Sequence, residues 1–68
     1  MADNFGLVSV SEYKGLTLNE AKAKAESKGF TTRVVEIDGR SLMVTADLKN
    51  NRLNFRVNGN VITDVYPG

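Results

Sequence analysis

The chain offers few side chains for catalysis, because its 68 residues include no histidine and no cysteine. It therefore lacks an imidazole base, a thiolate nucleophile, any disulfide and the usual ligands of structural zinc. Asp38 and Asp47 are the carboxylates of its long central segment, and neither has a histidine, cysteine or paired acid beside it to complete an acid–base set. We expect neither an enzyme nor a metal or cofactor site.

The charge balance is close to neutral, with nine Lys plus Arg against eight Asp plus Glu and a net charge of +1. A surface that follows a phosphate backbone is usually strongly basic. No run of residues approaches the ~20 apolar positions of a transmembrane helix, and the N-terminus lacks the pattern of a signal peptide. We expect a monomer with no nucleic-acid or membrane partner. The sequence as written predicts a cytoplasmic location, but a mature secreted chain would look the same, so location stays open.

One helix is predicted after Thr17, since Thr17 and Glu20 have the T-x-x-E spacing of a capping box. Gly29 then provides a residue that tolerates the left-handed conformation in which many helices end. The predicted helix is about two to three turns long. Its apolar face is narrow and consists of Leu18, Ala21 and Ala25. The small alanine side chains favour close packing on a sheet.

Three segments have strand patterns: residues 31–37, 52–58 and 61–66. Strict alternation in the second segment points Leu53, Phe55 and Val57 toward the core and leaves Arg52, Asn54 and Arg56 on the opposite, outward face. Asn58-Gly59 predicts a type I′ hairpin between the last two strands, with those two residues at its centre.

The fold class predicted is α+β, with one α-helix packed on a small mixed β-sheet. A long exposed loop would connect the first two main strands, and an NG hairpin would end the chain. Residues 13–68 would form the single domain, and residues 1–12 an N-terminal arm of uncertain structure in which residues 7–10 have the pattern of a short edge strand.

The segment between the first two predicted strands, residues 38–51, is long for so small a domain. Leu42, Met43, Val44 and Leu48 make it too apolar for a solvated linker, which favours a binding loop. The alternative is that residues 42–48 form another strand buried in the core, since periodicity does not separate the two.

The order of helix, strand, long loop, strand, NG hairpin and strand resembles the potato inhibitor I family of serine-protease inhibitors, to which the barley chymotrypsin inhibitor and eglin belong. Three short segments carry the resemblance: GLTLNEAK at residues 15–22, VTADLKNNRL at 44–53 and VYPG at 65–68. Residues 33–35, 38–40 and 52–54 are similar to the family's small bacterial and fungal branch. The resemblance covers residues 13–68.

The resemblance implies a substrate-like inhibitor whose reactive loop spans about residues 41–50. The scissile bond would be Ala46–Asp47, and a small residue at that position favours subtilisin-like or elastase-like serine proteases. The other residues implied to contact the protease are Met43, Val44, Thr45 and Leu48, the last of which could equally pack within the loop. The implied loop supports are Arg52 and Asn54.

Three departures from the family pattern bear on that loop. Met43 stands where the bacterial branch often has proline, Leu48 and Lys49 replace a common Tyr-Arg pair, and Asn54 takes the place of a second supporting arginine. From these we expect a less firmly supported loop, which Asn54→Arg would strengthen. Because Arg52 is expected on an exposed face, Arg52→Ala should spare the fold. The alternative function is a non-enzymatic interaction domain that binds another partner through the same loop.

Overall fold

The computed structural model describes residues 10–68. A short 3-10 helix, Val10–Tyr13, precedes helix α1, Leu18–Ser27, and four strands follow: β1 Thr31–Ile37, β2 Arg40–Ser41, β3 Arg52–Asn58 and β4 Val61–Pro67. The strands form one sheet in the order β2-β1-β3-β4, in which β1 and β3 are parallel and the two outer pairs antiparallel. One helix on a mixed sheet confirms the predicted α+β class. The edge-strand pattern proposed for residues 7–10 lies outside the described residues except at Val10, where the 3-10 helix begins.

Helix α1 begins and ends where the sequence predicted. The Thr17 hydroxyl accepts the Glu20 N–H at 3.3 Å, and a Glu20 carboxylate oxygen accepts the Thr17 N–H at 3.0 Å, so the capping box is complete. At the other end Gly29 has a φ of +87°. The Phe30 N–H then donates to the Ala25 carbonyl oxygen at 3.0 Å, and the Gly29 N–H donates to the Glu26 carbonyl oxygen at 3.0 Å, which completes a Schellman motif.

The core lies between the helix and one face of the sheet. Ala21 and Ala25 are fully buried, and these short side chains let the helix approach the sheet closely. Leu53, Phe55 and Val57 point into this core, which confirms the alternation predicted for β3. Tyr13 joins them, with its ring centroid 5.9 Å from that of Phe55, so the core begins before the helix.

The predicted hairpin between β3 and β4 forms, but its turn is displaced by one residue. Asn58 pairs with Val61, so the two central residues are Gly59 and Asn60, with φ values of +59° and +66°. Positive φ at both positions is what a type I′ turn requires, and Asn tolerates it next best after Gly. The prediction of Asn58-Gly59 at the centre was therefore wrong, because asparagines flank the glycine on both sides.

The segment predicted as one long connection divides into two parts. Asp38 and Gly39, with φ values of +50° and +82°, turn the chain so that the two residues of β2 pair with the end of β1. From there to β3 runs a stretch with no helix or strand, residues 42–51, here called the exposed loop; its residues 42–50 are all exposed. The alternative of a buried strand over residues 42–48 is wrong.

Among residues 10–68, the one α-helix is ten residues long and too short and polar to cross a bilayer.

Candidate functional site

The exposed loop lies over the sheet face opposite the helix. Ala46 is at its centre and exposed, between Thr45 and Asp47. The loop also presents large apolar side chains to solvent: Met43 is fully exposed and Leu48 is 86% exposed. At this exposure Leu48 packs little against the rest of the loop.

Arg52, the first residue of β3, ties the loop to the end of β4. Its Nη2 donates to the Asp47 carbonyl oxygen at 2.9 Å, and its Nε donates to the Gly68 backbone oxygen at 3.0 Å. Its Nη1 lies 3.5 Å from an Asp47 carboxylate oxygen. One planar guanidinium therefore holds the residue after Ala46 and the end of the last strand together.

A second guanidinium, that of Arg33, reaches the loop from β1. Its Nη1 donates to the Thr45 carbonyl oxygen at 3.1 Å and lies 3.4 Å from the Thr45 hydroxyl. The same nitrogen is 3.9 Å from the Asp47 carboxylate. The residues on both sides of Ala46 are thus held, one from β1 and one from β3.

The side chain of Asn54 makes its hydrogen bonds to β1 and β4 and not to the loop. Its Oδ1 accepts the Arg33 Nε–H at 2.9 Å, and its Nδ2 donates to the Tyr66 carbonyl oxygen at 3.3 Å. The side chain is 0% exposed, so both ends of the amide are satisfied inside the protein. Asn54 is therefore connected to the loop only indirectly, by the hydrogen bond to Arg33.

The carboxylate of Asp47 is stabilised in its charged form by its neighbours. The Thr45 hydroxyl donates to it, and this hydrogen bond is the main reason that the pKa of Asp47 lies below its ordinary value. The positive charges of Arg52 and Arg33 lower that pKa further, while partial desolvation opposes them. At neutral pH the loop thus carries a charged carboxylate between two guanidiniums.

Two sequence-based expectations about β3 need correction. Arg52 is only 7% exposed, and Asn54 is fully buried, although the alternation had placed both on an outward face. The two side chains do point away from the core, but the exposed loop and the end of β4 cover them there. Arg56, further along the same face, is exposed as expected.

Sequence reasoning missed Arg33 as a loop support. Arg33 is directly opposite Asn54 in the parallel pairing of β1 and β3, and that register brings the two side chains together. The one available signal was an arginine within a β-branched strand, at a position that alternation would place on the polar face.

Residues 10–68 hold no cluster of three or more His, Cys, Asp or Glu side chains suited to a metal ion. Comparison with protein-family models, with curated proteins and with solved structures finds no match to this chain. The arrangement itself has one clear chemical capacity: it holds a short exposed peptide in place without a covalent cross-link, since the chain has no cysteine.

Proposed function

We propose that this chain is a substrate-like inhibitor of serine proteases, with Ala46–Asp47 as its scissile bond. One observation carries the proposal. Two guanidiniums from neighbouring strands bind the carbonyl oxygens of Thr45 and Asp47, one on each side of Ala46, while Ala46 itself stays exposed. An ordinary connecting loop has no need for such support.

The proposed mechanism depends on where the two products of cleavage are held. The protease serine attacks the Ala46 carbonyl carbon, and the bond to the Asp47 nitrogen breaks, leaving an acyl-enzyme and a new amine. Arg52 keeps the amine side in place through the Asp47 carbonyl, and Arg33 keeps the acyl side through the Thr45 carbonyl. The amine therefore stays near the ester and re-forms the peptide bond in competition with water.

Support of the loop before binding also favours affinity. A loop that is already ordered loses less conformational freedom when it enters a protease cleft than a flexible one. The burial of Arg52 adds to this effect, because a largely buried guanidinium with bonded neighbours is itself restricted in its rotamers.

The side chains of the loop indicate which proteases it would fit. Ala46 has a methyl group only, which suits a shallow or permissive primary pocket of the elastase or subtilisin kind and gives trypsin no cation to bind. Met43 and Leu48 provide exposed apolar area on either side of it. These two side chains would add binding energy outside the primary pocket.

The test is an inhibition assay of the wild-type chain against a subtilisin, an elastase, a chymotrypsin and a trypsin. Mass spectrometry of the mixtures locates any cleavage. We expect inhibition of the first two enzymes and slow cleavage at Ala46–Asp47. Absence of inhibition of all four, or cleavage elsewhere in the loop, contradicts the proposal, and an intact loop that inhibits nothing favours the interaction domain instead.

A further inference from the structure

The support of the loop from β1 depends on an unusual use of a buried amide. Arg33 and Asn54 are opposite each other in the parallel register, and the Arg33 Nε–H is donated to Asn54 Oδ1 at 2.9 Å. The opposite end of that amide is bound as well, since Nδ2 donates to the Tyr66 carbonyl. Asn54 therefore joins three neighbouring strands, β1, β3 and β4, on the face under the loop.

The amide can satisfy these partners in one orientation only. If its oxygen and nitrogen were exchanged, an N–H donor would face the Arg33 N–H, and a carbonyl oxygen would face the Tyr66 carbonyl. Because the side chain is fully buried, water cannot compensate for such a mismatch. The Tyr66 carbonyl thus fixes the amide, and the amide fixes an acceptor in front of Arg33.

Arg33 can use this acceptor because its donors are on separate nitrogens in one rigid plane. With Nε bound to Asn54, the plane of the guanidinium is set, and Nη1 is directed at the Thr45 carbonyl, 3.1 Å away. A lysine at this position has a single nitrogen on a flexible stem. It could neutralise charge nearby, but it could not reproduce this two-sided, planar bridge.

We propose that Asn54 is a positioning residue for Arg33, and that the pair delivers a guanidinium to the loop from β1. This inference rests on the proposed function only in naming the supported peptide as a reactive loop. It reverses the expectation that Asn54 weakens the loop. It also predicts that Asn54→Arg fails to strengthen the loop, because position 54 is fully buried and already engaged with Arg33.

Two measurements keep this inference separate from the proposed function. The first is the order of the loop, read from 15N relaxation of the Ala46 and Asp47 amides, which needs no protease. The second is the rate of cleavage at Ala46–Asp47 by a catalytic amount of subtilisin. If the wild-type chain inhibits no protease, the proposed function fails, and loop order alone still decides the role of Asn54 and Arg33.

The informative variants are Arg33→Ala, Arg33→Lys, Asn54→Ala and Asn54→Asp, with Arg56→Ala as the matched control. Arg56 is an exposed arginine of β3 whose guanidinium lies beside Glu36, Asp64 and the Tyr66 ring, on the strands and not on the loop. Both Arg33 variants and Asn54→Ala should lower the order of the two amides and accelerate cleavage on the order of tenfold, the loss of one charged hydrogen bond. The control should match the wild type.

Asn54→Asp separates positioning from stability. It keeps an acceptor for Arg33 but loses the donor to the Tyr66 carbonyl, so the melting temperature should fall while the loop stays as ordered as in the wild type. A purely structural role would move both readouts together in all Asn54 variants, which would overturn the inference. Wild-type loop order in Arg33→Ala or in Arg33→Lys would overturn it too, and the Arg33 variants decide the matter even if Asn54→Ala does not fold.

Discussion

Replacement of Arg52 by alanine tests the support of the loop most directly. The substitution removes hydrogen bonds at 2.9 Å to the Asp47 carbonyl and at 3.0 Å to the Gly68 backbone oxygen. It also removes a guanidinium that is only 7% exposed. The expectation from sequence was that this change would spare the fold, and the burial of Arg52 reverses it.

The magnitude follows from these two bonds. A hydrogen bond that involves a charged group contributes ~1.5 to 3 kcal/mol, and since water can replace the donor at exposed Asp47, we take the lower value for each. The free energy of unfolding should then fall by ~3 kcal/mol, which lowers the melting temperature of so small a domain by more than ~10 °C. The contact with the exposed Asp47 carboxylate adds little to this sum.

The effect on cleavage is smaller because, of the two hydrogen bonds, only the one to the Asp47 carbonyl is made directly to the loop. Its loss of ~1.5 kcal/mol should raise the rate of cleavage at Ala46–Asp47 about tenfold. The assay pairs thermal unfolding with mass spectrometry of the chain during incubation with a catalytic amount of subtilisin.

Arg56→Ala is the control for charge and strand position. Arg56 makes long surface ion pairs, at 3.9 Å to Glu36 and 3.6 Å to Asp64, and its guanidinium carbon lies 5.9 Å from the centre of the exposed Tyr66 ring. Its removal should therefore change stability by less than ~1 kcal/mol. If Arg52→Ala melted and was cleaved like Arg56→Ala, the reasoning from burial and hydrogen bonds would be refuted.

Three further predictions concern specificity, pH and the helix. Ala46→Lys should turn inhibition toward trypsin and Ala46→Leu toward chymotrypsin, by ~1 to 3 kcal/mol in binding; an unchanged profile would show that another residue fills the primary pocket. The Thr45 hydroxyl, followed by the two arginines, lowers the pKa of Asp47 in the folded protein. The contacts of the charged carboxylate therefore stabilise the fold fully above pH 3.8, the ordinary pKa of the group, and this stabilisation is lost as the pH falls through the lower pKa of the folded state. The carboxyl carbon shift of Asp47 should therefore titrate with a midpoint below 3.8, and Thr45→Ala should raise that midpoint; a midpoint insensitive to Thr45 would contradict this cause. Thr17→Ala should cost ~1 kcal/mol of stability by removing the capping box, whereas Asn19→Ala at the exposed neighbouring position should not, and equal melting temperatures would argue against the cap.

The helix and the three long strands were predictable because their signals are local. Thr17, Glu20 and Gly29 mark the two ends of the helix and lie within two residues of it or inside it. Residue alternation likewise separates the two faces of β3 without knowledge of its neighbours. The turn after β3 was predicted one residue too early, because Asn58 and Asn60 are equally suited to a turn position beside Gly59. Only the pairing of Asn58 with Val61 decides between them.

The candidate site was less predictable, because it depends on contacts between distant parts of the chain. Alternation shows that Arg52 and Asn54 point away from the core, but not that the exposed loop covers them. The role of Arg33 requires the parallel register that places it opposite Asn54, 21 residues later. No pattern within either strand specifies that register.

The parallel arrangement of β1 and β3 also sets how far apart the ends of the exposed loop are. The loop leaves Ser41, beside Glu36, and returns at Arg52, beside Thr31, on the other side of β1. Ser41 and Arg52 are therefore offset by the length of β1 from Thr31 to Glu36 and by two strand spacings. With ~3.3 Å per residue along a strand and ~4.8 Å between neighbouring strands, these two residues are ~19 Å apart. A flexible random coil of about eleven residues has a root-mean-square end-to-end distance of ~17 to 20 Å.

The sheet therefore anchors the loop at a distance that a slack chain would adopt unaided, and exerts almost no tension on it. A glycine-serine segment of equal length should therefore bridge the same gap and leave the strand pairing intact. The stiffness of residues 42–51 thus comes from hydrogen bonds made to the loop, above all those that Arg33 and Arg52 donate to the Thr45 and Asp47 carbonyl oxygens, and not from the distance between its ends.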